Sequence, residues 1–302
     1  MKKTPSSKAQ IDRLGDRLKG GAHTESDLRL LDDYRRSFGE AYEAVVRTLR
    51  QRGEVPTGRL AKSTVSIVEK LRRESIRLSQ MQDIAGCRIV VGNVVEQEQL
   101  VASLKSDYTG ASLIDRRDQP SHGYRAVHII AEVSGKPIEI QVRSFLQHLW
   151  AEVSEKSSDV LDPTIKYGGG SDAWRNFLTM SSREVASFEE IEKKYRVSEA
   201  AGVVANASYE RISLDLAALR ERIPGTWLRR LVDWRVSLSK QPGPDQEDQE
   251  MRAKLEALKR KMESSEQECQ KMRRELVRMR NLIADLLTRA ISDLDKLKGE
   301  KQ

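Results

Sequence analysis

The sequence predicts an α+β fold: a mixed β-sheet flanked by helices, followed by a long C-terminal coiled-coil helix. Three observations carry that expectation. Short runs rich in β-branched residues, alternating apolar and polar, cluster between residues 87 and 143. Helical periodicity brackets them on both sides, which suits helices on one face of a mixed or antiparallel sheet. From Met251 onward, apolar residues recur at steps of four and three, the seam of a coiled coil.

Each element follows in order. Residues 1–24 are expected to be a flexible N-terminus. Residues 25–50 read as one amphipathic helix with Leu28, Leu31, Tyr34, Phe38, Tyr42, Val45 and Leu49 inward, and a second helix runs from about Ser63 to Glu74. The strand candidates are CRIVV (87–91), SLID (112–115), YRAVHIIAEV (124–133) and PIEIQVR (137–143), the last two joined by the turn SGKP. A helix follows from Phe145 to about Ser157. Helical patterns cover roughly 172–240 after the glycine run Gly168–Gly170. Gln241-Pro242-Gly243-Pro244 and the acidic run behind it form a linker over 241–250, because proline and glycine stop a helix and acids suit a new helix N-terminus. The coiled coil spans 251–298. Its stripe is Met251, Leu255, Leu258, Met262, Ser265, Cys269, Met272, Leu276, Met279, Ile283, Leu286, Ala290, Asp293 and Leu297. It needs a partner, either a second copy of the chain or a helix of the main domain.

Composition narrows the function classes. Of the 302 residues, 33% are charged and 38% hydrophobic, with a net charge of +7. The charged share exceeds the ~25% of an ordinary domain, as an exposed helical segment requires. From Asp245 onward there are 14 basic and 13 acidic residues, so almost all of the positive balance falls on the part before the coiled coil. A basic balance favours anionic partners such as nucleotides or RNA. No apolar run can span a bilayer, so no membrane partner is expected. MKKTPSSKAQ lacks the apolar stretch of a secretory signal, and the two cysteines build no disulfide framework or zinc finger; a cytoplasmic location is the expectation.

The two long strands, read by parity, locate the chemistry. In one, Tyr124, Ala126 and His128 share a face; in the other, Glu139, Gln141 and Arg143 do, opposite Ile138, Ile140 and Val142. A solvated strand face ordinarily carries Thr, Ser, Lys and Glu. An aromatic, a histidine, a carboxylate, an amide and a guanidinium suit base stacking, proton handling, metal binding, hydrogen bonding and phosphate clamping instead. Lys62, Ser66, Lys70 and Arg73 are spaced to share one helical face and could cradle a polyphosphate. Asp83 precedes the small-residue turn Ala85-Gly86 that feeds the strand carrying Arg88. A carboxylate there can hold Mg²⁺, which needs only one or two protein carboxylates plus water and phosphates. Together these sets describe a magnesium-dependent nucleotide site for phosphoryl or pyrophosphoryl transfer. GxxxxGK[ST] is absent, which excludes a P-loop.

At these residues the sequence resembles the synthetase domain of the RelA/SpoT family, the (p)ppGpp (alarmone) synthetases. The segments that carry the resemblance are KSTVSIVEKLRRE, LSQMQDIAGCRIVV, HGYRAVHIIAEV and PIEIQVRSFLQHLWAEVSEK, over roughly residues 55–170. The resemblance implies a nucleotidyltransferase-like fold for a synthetase domain over 25–240. It also implies transfer of the β,γ-pyrophosphate of ATP to the 3′-OH of GDP or GTP. It makes Lys62, Ser66, Lys70, Arg73 and Arg88 ATP contacts, Asp83 and Glu139 the Mg²⁺ carboxylates, and Glu139 the group that activates the acceptor hydroxyl. Tyr124 becomes the platform for the acceptor guanine, with His128, Gln141 and Arg143 beside it. Two departures are visible. Arg59 lies three residues before Lys62 where the family arginine lies two before, and no histidine follows Trp150-Ala151. The latter resembles divergent members, some of them toxins that pyrophosphorylate the 3′ end of tRNA. Lys136, Arg116 and Arg117 would then be the RNA-facing cations. A third reading is a catalytically inactive coiled-coil interaction module. Self-association through the coiled coil is the expected assembly.

Overall fold

The computed structural model describes residues 7–200, 214–218 and 248–300. Two compact units form, one from Met1–Gly92 and Glu96–His148, the other from Asn93–Val95 and Leu149–Gln302. The expected helical pattern over 201–213 and 219–240, and the linker over 241–247, lie outside the described residues.

The first unit opens with a helix, not a flexible arm. Helix α1, Lys8–Gly20, starts at a capping box between Ser7 and Gln10 and stops at Gly21 in the left-handed region. Ile11, Leu14 and Leu18 fall on one stripe and are buried, and three anchors at that spacing suffice to dock a short helix. The helix expected over 25–50 is two, α2 (Glu25–Arg36) and α3 (Gly39–Gln51). The Ser37 hydroxyl donates to the Tyr34 carbonyl, where α2 ends, and the buried Phe38 leads into α3. Then come β1 (Thr57–Arg59), α4 (Thr64–Arg73), β2 (Ala85–Val91), α5 (Val94–Asp107), β3 (Ser112–Asp115), β4 (Val127–Val133) and β5 (Lys136–Ser144).

The sheet runs β1-β2-β5-β4-β3, with β2 and β5 parallel and the other neighbours antiparallel, so it is mixed as expected. Strand β1 is an addition to the expected set. Ser134 and Gly135 both take positive φ in the β4–β5 hairpin, the left-handed pair that a two-residue turn requires. One face of the sheet carries Cys87, Ile89, Ile129, Ala131, Ile138, Ile140 and Val142. These join Leu14 and Leu18 of α1, Ala41, Val45 and Leu49 of α3, and Ile67 and Leu71 of α4 in one apolar core. The opposite face is left for polar side chains.

The second unit is helical: most of α6 (Phe145–Val160), α7 (Asp172–Ala200) and α8 (Asp248–Glu300). The Trp150 indole donates to the Leu178 carbonyl at 3.0 Å, the Tyr195 hydroxyl donates to the Cys269 carbonyl, and Lys156 pairs with Asp295. Along α8 the buried residues are Met272, Leu276, Met279, Ile283, Leu287 and Leu294. From Met272 the expected heptad holds to Ile283 and the buried stripe then moves to Leu287 and Leu294, while Asp293 and Leu297 are exposed. A straight helix repeats every 3.6 residues, so its buried stripe drifts off a 3.5-residue seam. This part of the stripe is covered within the chain. The side chains from Met251 to Ser265 lie outside the described set. Among the described residues no helix is long and apolar enough to cross a membrane.

Candidate functional site

Strand register places the polar residues in rows. On the face away from the core, Thr57, Arg88, Gln141 and His128 stand side by side across β1, β2, β5 and β4, and Arg59, Gly86 and Glu139 form the next row. Opposed residues on one face lie within side-chain reach. The backbones come close because two positions lack a Cβ. One built on Gly58 would lie 2.5 Å from the Gly86 carbonyl oxygen, and one on Gly86 would lie 2.8 Å from that of Glu139.

Asp83 sits just before β2, and two lysines close on it. Lys62 Nζ meets Oδ2 at 2.5 Å and Lys70 Nζ meets Oδ1 at 2.9 Å. The sequence spacing puts Lys62 on one helix with Ser66, Lys70 and Arg73. The structure places it before α4, which begins after Ser63: the Ser63 hydroxyl accepts from the Ser66 amide as N-cap. The Lys62 amide donates to the Ile84 carbonyl at 2.7 Å, and that bond brings its side chain to Asp83 instead. Burial pushes the Asp83 carboxyl up, but the charges and hydrogen bonds of both lysines outweigh it and hold the group below its ordinary value. The lysines share one counter-charge. Burial therefore drives Lys62 down, Asp83 opposes this, and the like charges of Lys70 and Arg59 add to the fall.

The second cluster centres on Glu139. Its Oε1 meets His128 Nδ1 at 2.8 Å and its Oε2 accepts from Gln141 Nε2 at 2.7 Å. The other ring nitrogen of His128 meets the Tyr124 hydroxyl at 3.0 Å, and that hydroxyl accepts from Arg143 at 3.0 Å. Arg143 also donates to Gln141 Oε1 at 3.2 Å and lies 5.0 Å from the centre of the Tyr124 ring. Burial and the Asp83 charge push the Glu139 carboxyl up; the hydrogen bond and charge of His128, with Gln141, pull it down further, so it stays below its ordinary value.

The sequence expectations divide accordingly. Asp83, Lys62 and Lys70 meet, and Glu139, His128, Gln141, Tyr124 and Arg143 meet. Arg88 stands beside Gln141 in the same row, and its charge acts on Tyr124. Ser66 is engaged by the Ser63 hydroxyl, and Arg73 is exposed and pairs with Glu74. The alternating pattern puts Tyr124 within a strand. It lies outside β4, after a tight turn in which His122 and Gly123 take φ of 53° and 90° and the Tyr124 amide donates to the Ser121 carbonyl. Arg143, expected to line the acceptor side, is only 2% exposed and backs Tyr124 from below. Of the RNA-facing candidates, Lys136 lies at the far end of the hairpin over the Tyr34 and Phe38 rings, and Arg117 is bound to Asp115. Sequence reasoning missed the close approach at Gly58 and Gly86. The expected turn at Ala85-Gly86 is instead the start of β2, and TGR is too short to read as a strand.

Among the described residues no group of three or more His, Cys, Asp or Glu could hold a metal ion. Asp83 and Glu139 are a pair, near enough that the charge of one acts on the other. Two coupled carboxylates whose oxygens each keep a spare lone pair fit Mg²⁺, which takes its other ligands from water and phosphate.

Residues 58–158 match the family described as "Region found in RelA / SpoT proteins". An uncharacterised protein of Mycobacterium tuberculosis (strain ATCC 25618 / H37Rv) is 38% identical over 111 residues, 35% of this chain and 41% of that protein. A probable chloroplastic GTP diphosphokinase of Arabidopsis thaliana is 30% identical over 139 residues, 43% of this chain and 19% of that protein. The chain thus spans less than half the length of the curated relatives it matches. The crystal structure of small alarmone synthetase 1 from Bacillus subtilis bound to its product pppGpp aligns at 26% identity, over 60% of this chain and 99% of that one, with a TM-score of 0.42.

Proposed function

We propose that residues 58–158, which match the family described as "Region found in RelA / SpoT proteins", form a synthetase domain, and that the protein is an ATP-dependent pyrophosphotransferase that moves the β,γ-pyrophosphate of ATP to the 3′-OH of GDP or GTP. The observation that carries this reading is that a lysine-clamped carboxylate, Asp83 just before β2, lies near enough to a histidine-supported one, Glu139 on the polar face of β5, for its charge to act on it.

The residues divide the work. Lys62 and Lys70 are the cations that would leave Asp83 for the phosphates of ATP, with Ser66, Arg73 and Arg88 as further ATP contacts. Asp83 and Glu139 would hold Mg²⁺, which when bound neutralises charge on the transferred group. Tyr124 stacks on the acceptor base, and Arg143 braces it through the hydroxyl. His128 and Gln141 orient Glu139, which takes the proton of the 3′-hydroxyl. A carboxylate held below its ordinary pKa is a weak base. A loose phosphoryl-transfer transition state asks little of a base, so positioning and charge stabilisation carry most of the rate.

A mononucleotide acceptor is favoured over tRNA because Arg117 is taken up by Asp115 and Lys136 lies over Tyr34 and Phe38, which leaves Arg116 as the exposed one of the three expected cations. Purified protein, labelled ATP and each acceptor separate the readings: label on GDP or GTP supports the proposal, and label on tRNA replaces it with the toxin activity. No label on either, together with no difference between wild type and Glu139→Gln in cells, leaves the inactive module. Self-association through the C-terminal coiled coil, 251–298, is the accompanying proposal. Light scattering of a chain cut before Asp245 reads it, and an unchanged mass removes it.

A further inference from the structure

A buried amide on α5 joins the two elements that carry the acceptor side of the site. Gln97 is fully buried. Its Nε2 donates to the Val142 carbonyl at 2.7 Å, between Gln141 and Arg143 on β5, and to Gln147 Oε1 at 2.9 Å. Gln147 returns a bond to Gln97 Oε1 at 3.3 Å and accepts one from the Ser144 amide. On its other side Gln97 Oε1 accepts from Arg117 at 3.4 Å.

Arg117 belongs to the segment 116–126 that presents Tyr124. Its guanidinium grips the Asp115 carboxylate at the end of β3, with a shortest contact of 2.6 Å. Its carbonyl accepts from Arg125, the residue next to Tyr124, at 2.5 Å. The stems of the segment are joined where the Arg116 amide donates to the Ala126 carbonyl. The bonds close a ring: β5 to Gln97, Gln97 to Arg117, Arg117 to Arg125 and Tyr124, and Tyr124 through Arg143 back to β5. The Gln97 amide is bonded at both its nitrogen and its oxygen, so removing it strands buried partners on β5, at Gln147 and at Arg117 together.

We propose that Gln97 and Arg117 are positioning residues for acceptor binding: they hold segment 116–126, and with it the Tyr124 platform, in register with Gln141 and Arg143. The functional half of this inference rests on the reading of Tyr124 as the acceptor platform; the tether itself does not.

The test uses full-length protein carrying Gln97→Met, which keeps side-chain length and loses the hydrogen bonds, or Arg117→Met. Hydrogen–deuterium exchange should quicken over residues 116–126 while β4 and α4 keep their wild-type protection. In the transfer assay the KM for the nucleotide acceptor should rise roughly tenfold or more, since small misplacements of binding groups are costly, with the KM for ATP unchanged. Unchanged exchange over 116–126 overturns the tether, and so does an equal rise throughout the first unit, which marks a merely structural role. A KM for ATP that rises with that of the acceptor overturns the acceptor-specific role. If wild type transfers to no acceptor, the enzymatic reading fails and exchange alone decides the tether. If Gln97→Met does not fold, Arg117→Met, at a partly exposed side chain, decides between these outcomes.

Discussion

Replacing Asp83 with asparagine tests the electrostatic design of the site without touching its shape. Asparagine keeps one acceptor oxygen but turns an NH₂ donor toward one of two ammonium groups, and it removes the counter-charge that Lys62 and Lys70 share, leaving Lys70 the longer contact with Glu74 at 3.9 Å. Breaking a buried ion pair by deleting one partner costs about 3–5 kcal/mol. Here the side chains are 11%, 20% and 15% exposed for Lys62, Lys70 and Asp83, and lysine stems can swing toward water. Solvent screening reduces the expected loss to about 2 kcal/mol. For a unit of this size that corresponds to a Tm lower by about 4–8 °C. The pH dependence has a definite sign. The folded pKa of Asp83 lies below its unfolded value, so its contribution is present above the ordinary carboxylate range and disappears as pH falls through the lower folded value. The gap between wild type and variant should be constant near neutrality and close in acid. Metal-free tripolyphosphate adds a second readout. It must compete with Asp83 for the lysines in wild type but not in the variant, so it should raise the variant's Tm more. Thermal melts in EDTA, with and without tripolyphosphate, measure both effects. A variant as stable as wild type, with the same response to tripolyphosphate, would refute the lysine clamp.

Glu139→Gln should lower transfer by about 10²–10⁴-fold while shifting Tm little; a fully active variant would remove Glu139 as base. Because Glu139 is held below its ordinary pKa, the acid limb of kcat/KM should lie below the usual glutamate range. His128→Ala takes away its main support, burial then prevails, and the limb should move to higher pH; an unmoved limb contradicts the pairing. Tyr124→Phe strips the hydroxyl from a buried arginine and should cost about 1–3 kcal/mol in a denaturant melt, more than it changes the acceptor KM, whereas Tyr124→Ala should raise that KM. In α8, Ile283→Asp buries a carboxylate and should destabilise the helical unit by several kcal/mol, about 3 or more, while Val277→Asp, at a position 54% exposed, should stay within about 0.5. Equal losses by circular dichroism would refute the observed stripe.

Local pattern was legible wherever one short-range rule acted alone. The alternation in 138–143 placed Glu139 and Gln141 opposite Ile138, Ile140 and Val142, and the register bears that out, because strand parity depends only on the backbone. The hairpin turn at Ser134-Gly135 was readable for the same reason. Errors fell where the chain changes direction. Ser37 ends one helix and Phe38 leads into the next, within a periodic run that reads as a single helix. Tyr124 stands on a left-handed turn and not in a strand, since His122-Gly123 bends the chain before the ladder begins.

By itself the sequence determined a sheet with one apolar and one polar face, the side chains of 138–143 that line each face, and the long C-terminal helix. Propensity and periodicity act over a few residues and need no knowledge of the rest of the chain. Tertiary structure alone decided that Lys62 and Lys70 share Asp83, that Arg143 is buried beneath Tyr124, and that Gln97 ties β5 to segment 116–126. It also decided that the α8 stripe from Met272 is covered by the chain itself. These are contacts between residues distant in sequence. Their geometry follows from strand order and helix packing, which no local pattern encodes.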